Sequence, residues 1–409
     1  MQFIPCTRRF PAVSKPSLGT LILIAILAAF ANGQAASPPE PRDATAPDPI
    51  RFEEIAAKSG LNYVTATAST ENKNQPQTMV AGVALLDYDG DGYLDVYLVG
   101  GASIPSLIKD SPVYWNRLLH NNRDGTFTDV TVKAGLAGAG YGSGVAVGDY
   151  DNDGWPDIFL ANVTGNQLFH NNGDGTFADV TAKAGLSGAR LNGKKMWSVG
   201  AGWFDYNNDG YLDLFVVNYC DWEPNKDPAC MLKEGVRGFC HPNLYKPLHN
   251  TLYRNNGDGT FTDVSVESGI AQYAGKGMSV TFADYDGDGY LDAFVANDTT
   301  PNFLFHNLHG KRFEEVGAQA GVAYSADGVA LSSMGPTFAT SITTGCPTSG
   351  IPRRNARAFP STSIPARVTL STRRWPTAWP QRPICPAGET AWPTSTTTAG
   401  RTSSLLAPT

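Results

Sequence analysis

The chain has 409 residues, six cysteines and a formal net charge of −7. That charge averages unlike segments: residues 336–409 carry +7 and Arg8, Arg9 and Lys15 add +3, which leaves −17 on residues 36–335. So acidic a body repels phosphate backbones and anionic lipid, which excludes nucleic acid and anionic lipid as partners of the repeat body.

Residues 1–35 read as a secretory signal peptide. Arg8, Arg9 and Lys15 precede the apolar stretch Leu21 to Phe30, and small residues follow at Ala31 and Ala35-Ala36. The stretch is short for a bilayer span, so no membrane span is expected after cleavage. Its cleavage site is ambiguous, and retention as an N-terminal anchor is the alternative. Residues 36–50 are rich in Pro and Ala, lack periodicity and read as a linker. The expected location is secreted, periplasmic or associated with the cell envelope.

An acidic nonapeptide then occurs four times: D-Y-D-G-D-G-Y-L-D from Asp87 and from Asp284, D-Y-D-N-D-G-W-P-D from Asp149, and D-Y-N-N-D-G-Y-L-D from Asp205. Positions 1, 3, 5 and 9 supply oxygens to one hard cation, the Gly at position 6 permits a sharp turn, and position 7 offers a carbonyl. The expected calcium ligands are Asp87, Asp89, Asp91, Tyr93 and Asp95; Asp149, Asp151, Asp153, Trp155 and Asp157; Asp205, Asn207, Asp209, Tyr211 and Asp213; and Asp284, Asp286, Asp288, Tyr290 and Asp292. Without a cation such carboxylates repel one another and raise each other's pKa, so an ordinary solvated turn gains nothing from the pattern. An EF-hand would need Glu at position 12, where this chain has Leu98, Leu160, Val216 and Val295. About four calcium ions are expected, one per loop.

The loops sit inside a longer repeat. An apolar run such as Gly144 to Val147 enters the loop and a second, such as Ile158 to Ala161, leaves it; both read as buried strands. N-x-L-x-x-N follows (Asn116 to Asn121, Asn166 to Asn171, Asn250 to Asn255, Asn302 to Asn307), then N-x-D-G-T-F-x-D-V at Asn122 to Val130, Asn172 to Val180 and Asn256 to Val264. The D-G ahead of an alternating segment signals a hairpin. Four antiparallel strands per copy, at intervals of 62, 56 and 79 residues between loop starts, predict an all-β fold, a β-propeller of four-stranded blades over residues 51–335.

At this point the residues resemble the FG-GAP/VCBS repeat families, most closely bacterial proteins of the cartilage acidic protein 1-like (ASPIC/UnbV) kind. The resemblance covers about Arg51 to Gly335 and rests on loop and N-x-D-G-T-F element alternating in every copy. It implies a calcium-stabilised propeller and no catalytic residue.

The 79-residue interval contains an insertion, residues 219–249, with Cys220, Cys230 and Cys240. Cys230 and Cys240 are expected to pair, because an exported loop without its own core gains stability from a short covalent closure. Cys220 is then a buried thiol or a competitor for a partner. Zinc through Cys240 and His241 is disfavoured, since adjacent residues rarely reach one ion together.

The final segment, residues 336–409, departs from the repeat. Where another acidic loop is due the chain reads Thr340-Ser341-Ile342-Thr343-Thr344-Gly345. Joining the third base of each codon to the first two of the next, where those third bases are G, T, G, A, G and G, converts this to D-F-D-N-D-G. The same operation on Thr394 to Ala399 gives D-F-D-N-D-G again. The alternative is a Thr-rich low-complexity tail. The frame-shift reading predicts an incomplete ring, a disordered tail and no meaningful partners for Cys346 and Cys385.

The function expected from these features is a binding or adhesion module for an extracellular protein or glycan. The competing class is a polysaccharide lyase or hydrolase on the same scaffold, against which stands the lack of a nucleophile motif such as G-x-S-x-G. His120, His170 and His306 occupy one place in three copies, with Arg254 in the fourth, and are expected on separate blades in a repeated structural hydrogen bond rather than as one metal triad. Trp155, Trp197, Trp203 and Trp222 are expected in core packing, with a sugar-stacking surface as the alternative.

Overall fold

The computed structural model describes residues 51–79, 81–340 and 368–370. Two units divide the chain, Met1–Glu53 and Glu54–Thr409. Of the first only residues 51–53 are described, and they form neither helix nor strand. The expected signal peptide and linker lie outside the described residues, as does the tail after Thr340 apart from Val368–Leu370, with Cys346 and Cys385.

In the second unit four four-stranded antiparallel sheets follow one another, one per repeat. The first comprises Val83–Leu86, Asp95–Leu98, Arg117–Asn121 and Phe127–Asp129, and the second Gly142–Gly148, Asp157–Asn162, Gln167–Asn171 and Phe177–Asp179. The third comprises Ser198–Phe204, Asp213–Asn218, Thr251–Asn255 and Phe261–Asp263, and the fourth Gly277–Ala283, Asp292–Asn297, Phe303–Asn307 and Phe313–Glu315. Each acidic loop joins a first strand to a second, and the Asp at position 9 opens the second strand: Leu86 pairs with Asp95, Gly148 with Asp157, Phe204 with Asp213 and Ala283 with Asp292. Among the described residues no strand pairing closes the sheets into a barrel.

The second strands of sheets two to four are apolar without alternation because both of their faces are covered. Tyr97 and Leu118 of sheet one gather with Ile158, Leu160 and Phe169 of sheet two. The other face of sheet two, Phe159, Ala161 and Leu168, gathers with Leu214, Val216 and Tyr253 of sheet three. Phe215 and Val217 of sheet three then meet Ala293, Val295 and Phe305 of sheet four. Each core is therefore shared between consecutive sheets. Among the described residues no sheet covers the other face of the first strand of sheet one, and Val83 and Leu85 are 64% and 59% exposed.

Two devices set the spacing of the sheets. First strands approach so closely that only Gly fits at the contact: a Cβ on Gly144 would lie 2.3 Å from the carbonyl oxygen of Val199. The last Asn of N-x-L-x-x-N reaches across to the preceding loop. Asn171, Asn255 and Asn307 donate through Nδ2 to the carbonyls of Tyr88, Tyr150 and Tyr206, each at 2.8 Å. All three asparagines are buried.

The insertion leaves sheet three between its second and third strands and forms a two-stranded ribbon, Cys230–Lys233 with Val236–Gly238. The Cys230–Cys240 disulfide is present, and Cys220 is a fully buried free thiol, pushed above its ordinary pKa by burial. Asp227 anchors the insertion, accepting from the backbone N–H of Gln75 at 2.9 Å and the Tyr245 hydroxyl at 2.5 Å. Trp197 and Trp222 meet edge to face at 6.1 Å in the core, and Trp203 stacks on Tyr150 at 6.2 Å. These three indoles pack the interior, as expected.

Substituting Gly144→Ala should destabilise the protein by about 1–3 kcal/mol in urea unfolding, since the opposing atom is backbone and cannot step aside. Gly200→Ala is the comparison: its Cβ would meet the Met278 carbonyl at 3.4 Å, an ordinary contact, and stability should stay within about 1 kcal/mol of the parent. Equal losses would show that strand proximity is not the constraint. Asn255→Ala leaves the carbonyls of Tyr150 and Leu212 without their side-chain donor, and the same measurement should show a loss of roughly 1–3 kcal/mol.

Candidate metal centres

Each acidic loop is built from its own hydrogen bonds before any ion is considered. The position 1 carboxylate accepts two backbone N–H groups: Asp87 from Asp91 and Gly92 at 3.0 and 2.8 Å, Asp149 from Asp153 and Gly154 at 3.0 and 2.9 Å, and Asp205 from Asp209 and Gly210 at 3.1 and 2.9 Å. Asp284 accepts three, from Gly287, Asp288 and Gly289 at 2.7, 3.1 and 2.9 Å. The Gly at position 6 has positive φ in every copy, 85° at Gly92 and 92° at Gly154, where a side chain would be strained. Position 5 accepts the N–H of position 7, which places Tyr93, Trp155, Tyr211 and Tyr290 against Asp91, Asp153, Asp209 and Asp288.

Position 9 differs from the rest. Asp95, Asp157, Asp213 and Asp292 have no exposed surface. Each accepts from the N–H of the position 2 tyrosine and from the last Asn of its own sheet, as Asp157 does from Tyr150 at 3.2 Å and Asn171 at 2.8 Å. Burial outweighs these bonds. It pushes Asp157 and Asp213 up to about 7 and Asp292 up to about 6, and raises Asp95 in the same direction.

Over this floor the other oxygens converge. One ligand atom from each of Asp87, Asp89 and Asp95 lies within 4.8 Å of the others, as for Asp149, Asp151 and Asp157. The histidines join their own loops rather than one another. Asp89 and Asp91 gather with His120, Asp151 and Asp153 with His170, and Asp286 and Asp292 with His306. His170 Nδ1 stands 3.3 Å from Asp151 and 3.2 Å from Asp157, and His120 Nδ1 stands 3.4 Å from Asp89 and 3.2 Å from Asp95. The expected structural hydrogen bond is made by His306, to Asp292 at 3.3 Å. In the other two copies the nitrogen is close but misaligned: His120 Nδ1, His170 Nδ1, Asp89 Oδ1 and Asp151 Oδ1 are buried without any hydrogen-bond partner. Buried polar atoms left unpaired are costly, and a cation in each loop would satisfy that loop's carboxylate oxygen. The donor set fits a hard ion in that respect.

Three features escaped sequence reasoning. Tyr88, Tyr150 and Tyr285 meet His120, His170 and His306 edge-on at 5.9, 6.2 and 5.7 Å, so the Tyr at position 2 supports the histidine. The loops also touch: Asn152 Nδ2 donates to the Gly210 carbonyl at 3.1 Å and Asn208 Nδ2 to that of Gly289 at 3.0 Å. Arg123 pairs with Asp91 and holds its carboxyl below the usual carboxylate range. The third loop lacks the histidine, and Arg254 in that place stands 3.7 Å from Glu267. Zinc at the insertion is excluded for Cys240 by its disulfide.

The family of FG-GAP-like repeats matches residues 87–160, 149–216 and 245–295. Among curated proteins, cartilage acidic protein 1 of Mus musculus is 25% identical over 260 residues, 61% of this chain and 37% of that protein. The Xenopus tropicalis protein of the same name is 37% identical over 73 residues, 17% of this chain and 11% of its own. The match thus spans little more than a third of the mouse protein and about a tenth of the Xenopus one. Among solved structures, an Agrocybe aegerita lectin that recognises non-reducing terminal N-acetylglucosamine aligns over 66% of this chain and 59% of its own, at 18% identity and a TM-score of 0.36. The chain thus carries FG-GAP-like repeats over residues 87–216 and 245–295 and is homologous to cartilage acidic protein 1 at modest identity.

Proposed function

We propose that the protein is an exported, calcium-binding β-propeller module that binds an extracellular protein or glycan. The observation that carries this reading is the repeated convergence of three carboxylates within 4.8 Å of one another around buried, unpaired oxygens. Residues at positions 1, 3, 5 and 9, with the carbonyls of Tyr93, Trp155, Tyr211 and Tyr290, would hold the ion. Calcium would neutralise carboxylates that otherwise repel, and four ions would cut the body's charge from −17 to −9. The side chains themselves shape the loop, fix the head of the second strand and tie each loop to its neighbour. A row of such loops along one edge of the sheets offers cations to a partner's carboxylates or hydroxyls, which is the chemistry of an acidic protein surface or a glycan.

Export is supported by the disulfide, which persists in oxidising compartments, and by calcium loops, which fill where the free ion is abundant. No helix of the described residues is long and apolar enough to cross a membrane.

Calcium at a hundredfold excess over its dissociation constant should stabilise the fold by about 2.7 kcal/mol per site, so a chelator should lower the melting temperature by several degrees. A melting temperature indifferent to chelator would sink the metal reading. Asp151→Asn removes one ligand charge and should weaken calcium at the second loop roughly tenfold in titration calorimetry, while the exposed Glu234→Gln should change nothing. A glycan array read with calcium and with chelator addresses the partner. Retention that depends on calcium supports the module, and cleaved product would instead make the protein an enzyme.

A further inference from the structure

Ser333–Thr340 meets sheet four as the first strand of sheet two meets sheet one. Gly142 stands seven residues before the opening Asp149 of its loop, and Ser333 stands seven before Thr340. Gly142 N donates to the Gly100 carbonyl at 3.2 Å, and Ser333 N donates to that of Asn297 at 3.0 Å. The two acceptors are themselves equivalent, thirteen residues after Asp87 and after Asp284. The strand Phe338–Thr340 follows Gly335, whose N–H donates to Ser279 Oγ in the first strand of sheet four at 3.1 Å.

Side chains repeat the correspondence. Phe282, two residues before its loop, stacks on Phe204 of the preceding sheet at 4.1 Å. Phe338, two residues before Thr340, packs against Phe294, Ala296 and Leu304 on the outer face of sheet four. The sequences agree as well, since M-x-x-T-F-A spans both Met278–Ala283 and Met334–Ala339. Agreement stops at Thr340, where every earlier copy has Asp.

The genetic code explains why it stops there. Phe-Ala-Asp written TTC-GCC-GAC becomes TTC-GCG-AC, the start of Phe-Ala-Thr, when one C is lost. Beyond that base, the codons available to Thr340 to Gly345 allow D-F-D-N-D-G in the neighbouring frame, and Thr348 falls on the ninth position. Thr340 lies 56 residues after Asp284, and the next such string begins 54 residues later at Thr394, both close to the 56 that separate Asp149 from Asp205.

We infer that Ser333–Ala339 is the first strand of a fifth repeat, and that a one-base shift in the codons of Ala339 and Thr340 has replaced the acidic loop of that repeat with Thr-rich sequence. The strand is placed because its apolar residues are still in frame. The shift itself stands without the calcium reading, and only its metal consequence rests on that reading.

Sequencing the gene across codons 334–350 decides the frame. Bases that spell Asp at the first, third and fifth loop positions in the neighbouring frame are expected, and any other triplets there overturn the inference. Adding one base at codon 339 then yields a restored chain, whose bound calcium can be counted by equilibrium dialysis beside the present one. At least one additional ion per chain is expected. Equal, non-zero counts would overturn the fifth metal loop. Absence of calcium from both chains would overturn it through failure of the calcium reading, while the bases still decide the frame.

Discussion

A fully buried carboxylate at the head of every second strand is the constraint on which the rest of the structure depends. Asp95, Asp157, Asp213 and Asp292 each sit beneath an acidic loop, beside an apolar core and at the start of a second strand. Two backbone N–H groups hold each one, and these are too few to offset desolvation, as the upward shifts of Asp157 and Asp213 show. The same two bonds define the geometry around them. They draw the position 2 tyrosine inward and pin the last Asn of the third strand, so loop, second strand and third strand share one anchor. A cation above this carboxylate would lower the cost of the charge where the fold has fixed it.

From that anchor the order spreads sideways. The Asn whose N–H contacts the buried Asp uses its side chain to reach the preceding loop, so Asn171 links Asp157 to Tyr88 and Asn255 links Asp213 to Tyr150. Each sheet is thereby locked to its predecessor at the loop end, while glycines allow the first strands to touch along their length. The cores between sheets obey the same logic, each drawing on two consecutive sheets. Such a stack behaves as a nearly one-dimensional array in which nearest-neighbour interfaces supply most of the stability.

Much of this was legible in the sequence, for a physical reason. Four copies of one motif expose any residue whose role is local: the ligand positions, the turn glycines and the continuous apolar runs all recur at fixed offsets. The D-G-T turn is legible too, with Asp124, Asp174 and Asp258 each accepting the N–H two residues on. Roles that join two repeats were not legible, because a single copy gives no sign of its neighbour. Asn152 and Asn208 look like turn residues, yet they carry the bonds between loops. The histidines were placed correctly on separate sheets but not against their own carboxylates, because offset alone does not reveal that Asp89 and His120 converge. Lys109 was invisible altogether: buried, it donates to the carbonyls of Gly100, Gly101 and Tyr114 at 2.6 to 2.7 Å and organises an irregular segment with no counterpart in the other repeats.

The shared cores also explain why the two ends of the array differ. Sheet four has a covered outer face, because Val316, Val322 and Phe338 fold against Phe294 and Leu304. Sheet one has no equivalent. Val83 and Leu85 occupy the positions at which Val145 and Val147 pack on the preceding sheet, and they stand in solvent. A first strand in this architecture is written for a neighbour on its N-terminal side, so its apolar residues record an interface whether or not that interface is formed. The acidic loop below it differs in the same sense: loop two lies under Asn255 and beside loop three, whereas the first sheet's own Asn121 donates to Leu94 within its own repeat and reaches no earlier loop. Loop one is therefore held from one side, loops two and three from both, and the rigidity that a metal site requires should increase from the first repeat into the middle of the array.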